Sequence, residues 1–371
     1  MNLFITALLF LFIGITSNAQ SFQGVIKNIE TGEPIGQITI ISADQTYFVT
    51  SNEKGEVVLP ETALNKKLFI DDYEYVYSEK TFTDTQPFVW ELTPNSETLE
   101  EIVIYEDAVK TLDEIIANSI KSFSNNVKLE AYYRENYIEN GRTASFADGI
   151  VDFYVNNKID MVAKQTRVKD FSQVEESNRV MATTPTQVVD FSMRFSTIST
   201  MLKEKNKYEF YVTAKQVGEK TIHTCYINPK EKSKKRFLLK GYFVFDESKK
   251  LILEASYGFD PEKKKYNSTM NVIIGKFDFN DLSFKSKYMA TDLLYYPSYS
   301  KFSKDLTINS KLAKIKNVKV NNDSFFYVLN AVKTNEKPNP ERIFKLGTLY
   351  NSGDKYSREF WNNPEISNLE E

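Results

Sequence analysis

The chain has 371 residues and carries 47 Lys plus Arg against 50 Asp plus Glu, a net charge of -3 spread without basic blocks, which excludes a nucleic-acid-binding electrostatic footprint. Its only cysteine is Cys225, so an intramolecular disulfide is excluded and a fold of this size rests on core burial. Aromatic residues make up 14%, with 27 Phe and 22 Tyr; these favour pleated, half-buried surfaces, and composition alone predicts a mostly β protein.

Met1 to Ala19 contains no charged side chain, and an apolar run from Leu3 to Ile15 leads into Ser17-Asn18-Ala19. Small residues behind such a run mark a secretory signal peptide, residues 1-19, cut after Ala19. The run falls short of the roughly 18 apolar residues of a membrane span, and no later segment reaches that length. The mature chain is therefore expected to lack a transmembrane segment and to be exported, to the periplasm or in association with an outer membrane. Gln20, in place of a Cys, follows the expected cleavage site and argues against a lipid anchor.

From residue 20 to residue 105 short alternating segments are separated by turn residues, the pattern of a small antiparallel sandwich. The predicted strands are Phe22 to Lys27, Gln37 to Ile41, Thr46 to Thr50, Glu56 to Leu59, Lys67 to Ile70 and Phe88 to Leu92. Thr31-Gly32-Glu33-Pro34 and Asn52-Glu53-Lys54-Gly55 supply the residues that tight reversals need.

Gly24-Val25-Ile26, Thr31-Gly32-Glu33-Pro34-Ile35, Thr50-Ser51-Asn52-Glu53-Lys54-Gly55-Glu56 and Leu99-Glu100-Glu101-Ile102-Val103-Ile104 together resemble the carboxypeptidase-regulatory-like module. The resemblance implies a transthyretin-like β-sandwich of the kind found at the N-termini of bacterial cell-envelope proteins. Where that family has a Gly before the Tyr of its fifth strand, this chain reads Asp71-Asp72-Tyr73, which implies a different local bend.

Residues 106-371 read as a second, β-rich domain. Thr111-Leu112-Asp113-Glu114 has the form of a capping box, and Leu112, Ile115, Ile116, Ile120 and Phe123 follow at helical spacing. Long alternating segments come next: Leu129 to Glu139, an Asn140-Gly141 hairpin signal, Thr143 to Val155, a turn at Asn156-Asn157, and Lys158 to Lys164. Thr184-Pro185-Thr186-Gln187 combines an N-cap, a Pro at the first helical position and a capping Gln. Val188, Phe191, Phe195, Ile198 and Leu202 then predict one helix over Gln187 to Lys203. The remaining strands are predicted at Lys207 to Val217, Lys220 to Asn228, Arg236 to Phe245, Leu251 to Phe259, Tyr266 to Phe279, Phe284 to Tyr296, Asp305 to Lys319 and Ser324 to Lys333. The sum is a large curved antiparallel sheet or half-barrel with one or two covering helices.

Chemistry is sparse. Zinc catalysis needs three protein ligands, and His223 is the only histidine; His223 and Cys225 share a strand face, and packing is the plainer reading of that pair. A Ser-His-Asp triad would need the same His223, and no Gly-x-Ser-x-Gly elbow, phosphate-cradling loop or dinucleotide fingerprint occurs. Catalytic residues, metal and cofactors are therefore each expected to be none. Glycosidases need only two carboxylates, so Asp148 with Asp152 on one strand face, or Glu135, keep open an alternative as a carbohydrate-active enzyme; the plainer reading is solvent-face charge or a cross-strand pair with Arg134. The densest aromatic stretch, Leu293 to Phe302, offers rings suited to sugars or lipid headgroups. The main expectation is a non-enzymatic binding or scaffolding protein that holds an apolar ligand. Its expected ligand-binding residues are Phe191, Phe195, Tyr295, Tyr296 and Tyr299, and its expected partner is an envelope protein, a lipid or a glycan.

Overall fold

The computed structural model describes residues 21–95, 101–171, 182–218, 220–230, 238–260, 268–272, 275–310, 315–345 and 347–357. The expected signal peptide lies outside them. Among the described residues the protein is mostly β, with a large antiparallel sheet, two smaller sheets of which one contains a parallel pair, a few short helices and no closed barrel.

The first seven strands are β1 (Ser21–Asn28), β2 (Thr39–Ser42), β3 (Phe48–Thr50), β4 (Glu56–Pro60), β5 (Lys67–Ile70), β6 (Ser78–Thr81) and β7 (Phe88–Leu92). They form a three-stranded sheet, β4-β1-β7, facing a four-stranded one, β3-β2-β5-β6. Phe22, Ile26, Ile40, Leu59, Leu68 and Trp90 fill the space between. Gly32 and Gly55 adopt φ of 71° and 75° at the two predicted reversals, a conformation that costs a residue with a Cβ. Strand β6 escapes the sequence pattern because Ser-Glu-Lys-Thr has no apolar alternation; backbone pairing with β5 forms it, and Trp90 Nε1 donates to Ser78 Oγ at 2.9 Å.

The next strand, β8 (Glu101–Val103), belongs with the sandwich on its sequence. It instead pairs with β12 (Tyr208–Val217) at the edge of a larger sheet. Helix α1 (Ala108–Ser122) begins earlier than the Thr111 box predicts: Asp107 is the cap and accepts from Lys110 N, while Thr111 Oγ1 turns back to donate to the Asp107 carbonyl. Leu112, Ile115 and Ile116 are buried as expected, and Ile120 is exposed.

The large sheet has twelve strands. Besides β8 and β12 they are β9 (Val127–Glu139), β10 (Arg142–Val155), β11 (Ile159–Asp170), β13 (Lys220–Pro229), β14 (Leu239–Asp246), β15 (Leu251–Phe259), β16 (Ser268–Val272), β17 (Gly275–Ala290), β18 (Tyr295–Ser310) and β19 (Ile315–Lys333). Their order is β11-β10-β9-β19-β18-β17-β15-β14-β13-β12-β8, with β16 on β17. Pairing of β19 with β9 joins two meanders into one sheet. Asn140 and Gly141, with φ of 50° and 79°, close the β9–β10 hairpin in the doubly positive geometry that matches strand twist. Several boundaries differ from prediction. Strand β11 runs on to Asp170, and the segments predicted as single strands at Tyr266 to Phe279, Phe284 to Tyr296 and Asp305 to Lys319 are each shared between two strands, β16 and β17, β17 and β18, and β18 and β19. The β17–β18 turn falls at Thr291–Leu294, where Thr291 Oγ1 accepts from Leu294 N. Charged residues dotted along these half-exposed strands make them look like loops in the sequence.

Strand alternation gives the sheet two faces. One carries Leu129, Ala131, Tyr133, Val151, Phe153 and Phe326 and packs under helices α2 (Pro185–Arg194) and α3 (Ser196–Lys203), with α1 beyond them. The other carries Tyr132, Ile150, Tyr299 and Tyr327, and there the sandwich docks, with β3 against β19. No helix among the described residues is long and apolar enough to cross a membrane.

An apolar cleft at a helix kink

Helix α2 starts as its sequence dictates. Thr184 Oγ1 accepts from Gln187 N, the Gln187 side chain accepts from Thr184 N, and Pro185 occupies the first turn. The helix then stops where one continuous helix was predicted, because Phe195 takes φ 48° and ψ 20°. That left-handed conformation is costly for a bulky aromatic residue. The compensation is visible: the Phe195 ring stacks on Phe123 at 5.7 Å and tilts against Tyr288 at 5.2 Å, and Phe123 stacks on Tyr295 at 4.6 Å. The Ser192 carbonyl, which an unbroken helix would offer to residue 196, accepts from Tyr288 Oη at 2.7 Å.

The kink opens a cleft of about 570 Å³ between the α2–α3 junction and strands β14, β15, β17 and β18. Its walls are largely apolar, with Phe191, Tyr257, Leu282, Phe284 and Phe302 prominent. The rings of Phe191 and Phe302 lie 5.3 Å apart, and Tyr257 stacks on Phe284 at 4.9 Å. Phe191 is 37% exposed, a large ring left at the rim of an apolar opening.

The five residues singled out by sequence separate. Phe191 and Phe195 both line the cleft, Phe195 from within the core at 4% exposure. Tyr295 is buried in the aromatic stack and donates to the Ile252 carbonyl. Tyr296 meets Phe48 of the sandwich edge-on at 6.1 Å. Tyr299 lies on the sandwich-facing side and donates to Glu53. These three tyrosines do not line the cleft and do not converge on one another. Sequence reasoning misses Tyr257, Leu282, Phe284 and Phe302; the alternation on β15, β17 and β18 carries the signal, but only strand pairing shows that they meet.

The carboxylates are held by neighbours. Asp148, 0% exposed, accepts from Arg167 on β11 through both oxygens and from Tyr132 Oη at 2.8 Å. Its predicted partner Arg134 is across from it in register, but the ion pair forms with Arg167. Asp152, raised by burial, sits 3.8 Å from Lys164, and Glu135 accepts from Tyr350 N. His223 stacks on Phe245 and pairs with Glu247, while burial pushes the Cys225 thiol up. No group of three metal-ligating side chains occurs among the described residues.

The Asp71-Asp72-Tyr73 stretch lies at the sandwich–sheet junction. Asp71 pairs with Lys220 at 2.6 Å, Glu74 with Lys287 at 2.7 Å, and Tyr73 donates to Glu254 at 2.9 Å. Tyr242 and Lys285 also meet Glu254. Burial works against the Lys287 charge, but Asp72 and Glu74 outweigh it and hold the ammonium above the ordinary lysine range. Two clefts of about 520 Å³ flank the docked sandwich, with more polar walls than the one at the kink.

No protein-family model and no curated protein matches the chain. Among solved structures it is similar to lipovitellin, described for its lipid–protein interactions, at 9% identity over 64% of this chain and 28% of that one, TM-score 0.26. A LolA superfamily protein from Nitrosomonas europaea is 8% identical over 61% of this chain and 94% of that one, TM-score 0.24. A DUF1329 family protein from Desulfovibrio piger is 10% identical over 60% and 93%, TM-score 0.23. Scores this low carry no functional argument, so function has to be read from the cleft itself.

Proposed function

We propose that the chain is an exported, non-enzymatic binding protein of the bacterial envelope. Its sandwich is a carboxypeptidase-regulatory-like module that acts as a docking element, and its large sheet holds an apolar chain in the cleft at the α2–α3 kink. One observation carries this: a cleft of about 570 Å³ walled by Phe, Tyr and Leu side chains, within the roughly 300–1,000 Å³ range of ligand sites, beside a strained aromatic residue of the kind that gathers at functional sites. Each methylene taken from water there contributes about 0.8 kcal/mol.

The test is binding of a fluorescent fatty-acid probe to the purified full-length chain. Saturable binding is expected, weakened about tenfold or more by Phe191→Asp or Leu282→Glu with little change in melting temperature, since both side chains border the opening. A well-folded protein that binds no probe overturns the proposal. Sequencing the N-terminus of the secreted form, expected to begin at Gln20, tests export separately.

A further inference from the structure

Lys304 on β18 is set against the cleft in an unusual way. It stands opposite Leu282 on β17 in register, and Leu282 lines the cleft. Its Nζ lies 5.9 Å from the centroid of the Phe302 ring, which lines it too. Lys304 is only partly exposed, and among the described residues it makes no ion pair, in contrast to Lys287 and Arg167 on the opposite face. Burial lowers its ammonium to about 8, with no neighbouring charge contributing. A desolvated ammonium with no anion beside it costs stability, so an anion that arrives with a ligand would relieve that cost.

A second polar group points the same way. Asn322 on β19 is the register partner of Lys304 on its other side. Asn322 Oδ1 accepts from Thr183 N at 2.8 Å, tying the residue just before the α2 N-cap to that strand. Thr183 is 2% exposed, and its hydroxyl has no hydrogen-bond partner. Beside the cleft-lining Leu282 and Phe302 thus stands a cation without a counter-ion, and the next strand over holds a buried Thr183 hydroxyl without a partner just before the start of α2, while the cleft wall itself is largely apolar.

We infer, resting on the apolar-ligand reading of the cleft, that it takes a single-chain amphiphile with a monoanionic headgroup, a long-chain carboxylate, whose charge is met by Lys304. One compact ammonium balances one negative charge; a doubly charged phosphomonoester would call for further cations or an arginine fork.

The experiment is calorimetric titration of the full-length protein at neutral pH with palmitate and with hexadecanol, which share a chain length and differ in charge. Palmitate is expected to bind about tenfold more tightly, the worth of one partly desolvated charge-assisted contact. Lys304→Met should bring that ratio to about one and Lys304→Arg should keep most of it. Both probes binding with a ratio that Lys304→Met leaves unchanged overturns the headgroup assignment and spares the apolar cleft. Neither probe binding to the folded protein overturns both.

Discussion

The two faces of the large sheet solve the same problem, covering a twelve-stranded surface, with opposite means. On the sandwich-facing side, charged groups are paired: Asp148 with Arg167 within the sheet, and Glu74 with Lys287 and the more exposed Asp71 with Lys220 across the junction. On the helix-covered side the cover is apolar; a left-handed phenylalanine lines the cleft, a lysine without a counter-ion neighbours two of its lining residues, and a buried threonine hydroxyl without a partner precedes α2. Buried polar atoms without a hydrogen-bond partner occur on the sandwich side too, as at Tyr296 Oη, so the difference between the faces lies in paired against unpaired charge. On the function proposed above, that contrast separates a docking face from a binding face.

The largest effect should come from breaking the satisfied face. Arg167→Ala leaves Asp148 buried with only Tyr132 as a side-chain donor, a change that costs about 3–5 kcal/mol when one member of a buried pair is lost. Chemical denaturation measures it, and a loss below about 1 kcal/mol would mean that water reaches Asp148 and that this face is more open than its burial implies. Lys287→Met comes next. It strips Asp72 and Glu74 of the charge they share, and a loss of roughly 2–4 kcal/mol is expected. Proteases should then cut between residues 95 and 101 faster than in the parent, because the sandwich loses its hold on β17; unchanged cleavage would assign the docking to β3 and Phe48 instead.

The same change on the other face should have the opposite sign. With its ammonium held at about 8 in the folded state and near 10.4 when unfolded, Lys304 leaves the folded chain binding fewer protons between those values. Stability contributed by this group therefore rises as pH climbs from about 8 towards 10.4 and is at its lowest below 8. Lys304→Met should raise stability at pH 7 by roughly 1–3 kcal/mol and flatten that rise. A destabilised variant would show that Lys304 has a structural partner and would remove the contrast at its sharpest point.

Period and turn chemistry decide how much of this contrast is legible in the sequence. The sandwich strands declare themselves by alternation between Gly-marked turns, and the α2 start by its capping box. The kink does not, because Val188, Phe191, Phe195, Ile198 and Leu202 keep helical spacing straight through it; the break comes from a tertiary stack with Phe123 and Tyr288. Lys304 is equally silent, since it falls between the predicted strands Phe284 to Tyr296 and Asp305 to Lys319, in a charged stretch that looks like a loop. Tyr295, Tyr296 and Tyr299 stand out by local density, yet strand alternation and the bulge at Lys287/Tyr288 send neighbours in β18 to different environments. The clearest sequence signal of an interface is the acidic stretch Asp71-Asp72 before Tyr73, whose charges meet Lys220 and Lys287 on the large sheet.

The smallest effect tests whether the kink stores strain. At an ordinary buried position Gly is worse than Ala, because the unfolded chain gains freedom. At Phe195 the order should reverse. Both substitutions lose the ring and its stack on Phe123, a common cost of about 3–5 kcal/mol for a buried aromatic. Only Ala retains the Cβ that disfavours φ of 48°, whereas Gly occupies that region freely. Phe195→Gly should therefore be about 1 kcal/mol more stable than Phe195→Ala in chemical denaturation. If Ala is the better of the two, the α2–α3 junction has relaxed into continuous helix once the ring is gone, and the cleft beneath it should close: probe binding by Phe195→Ala would then fall further than binding by Phe191→Ala.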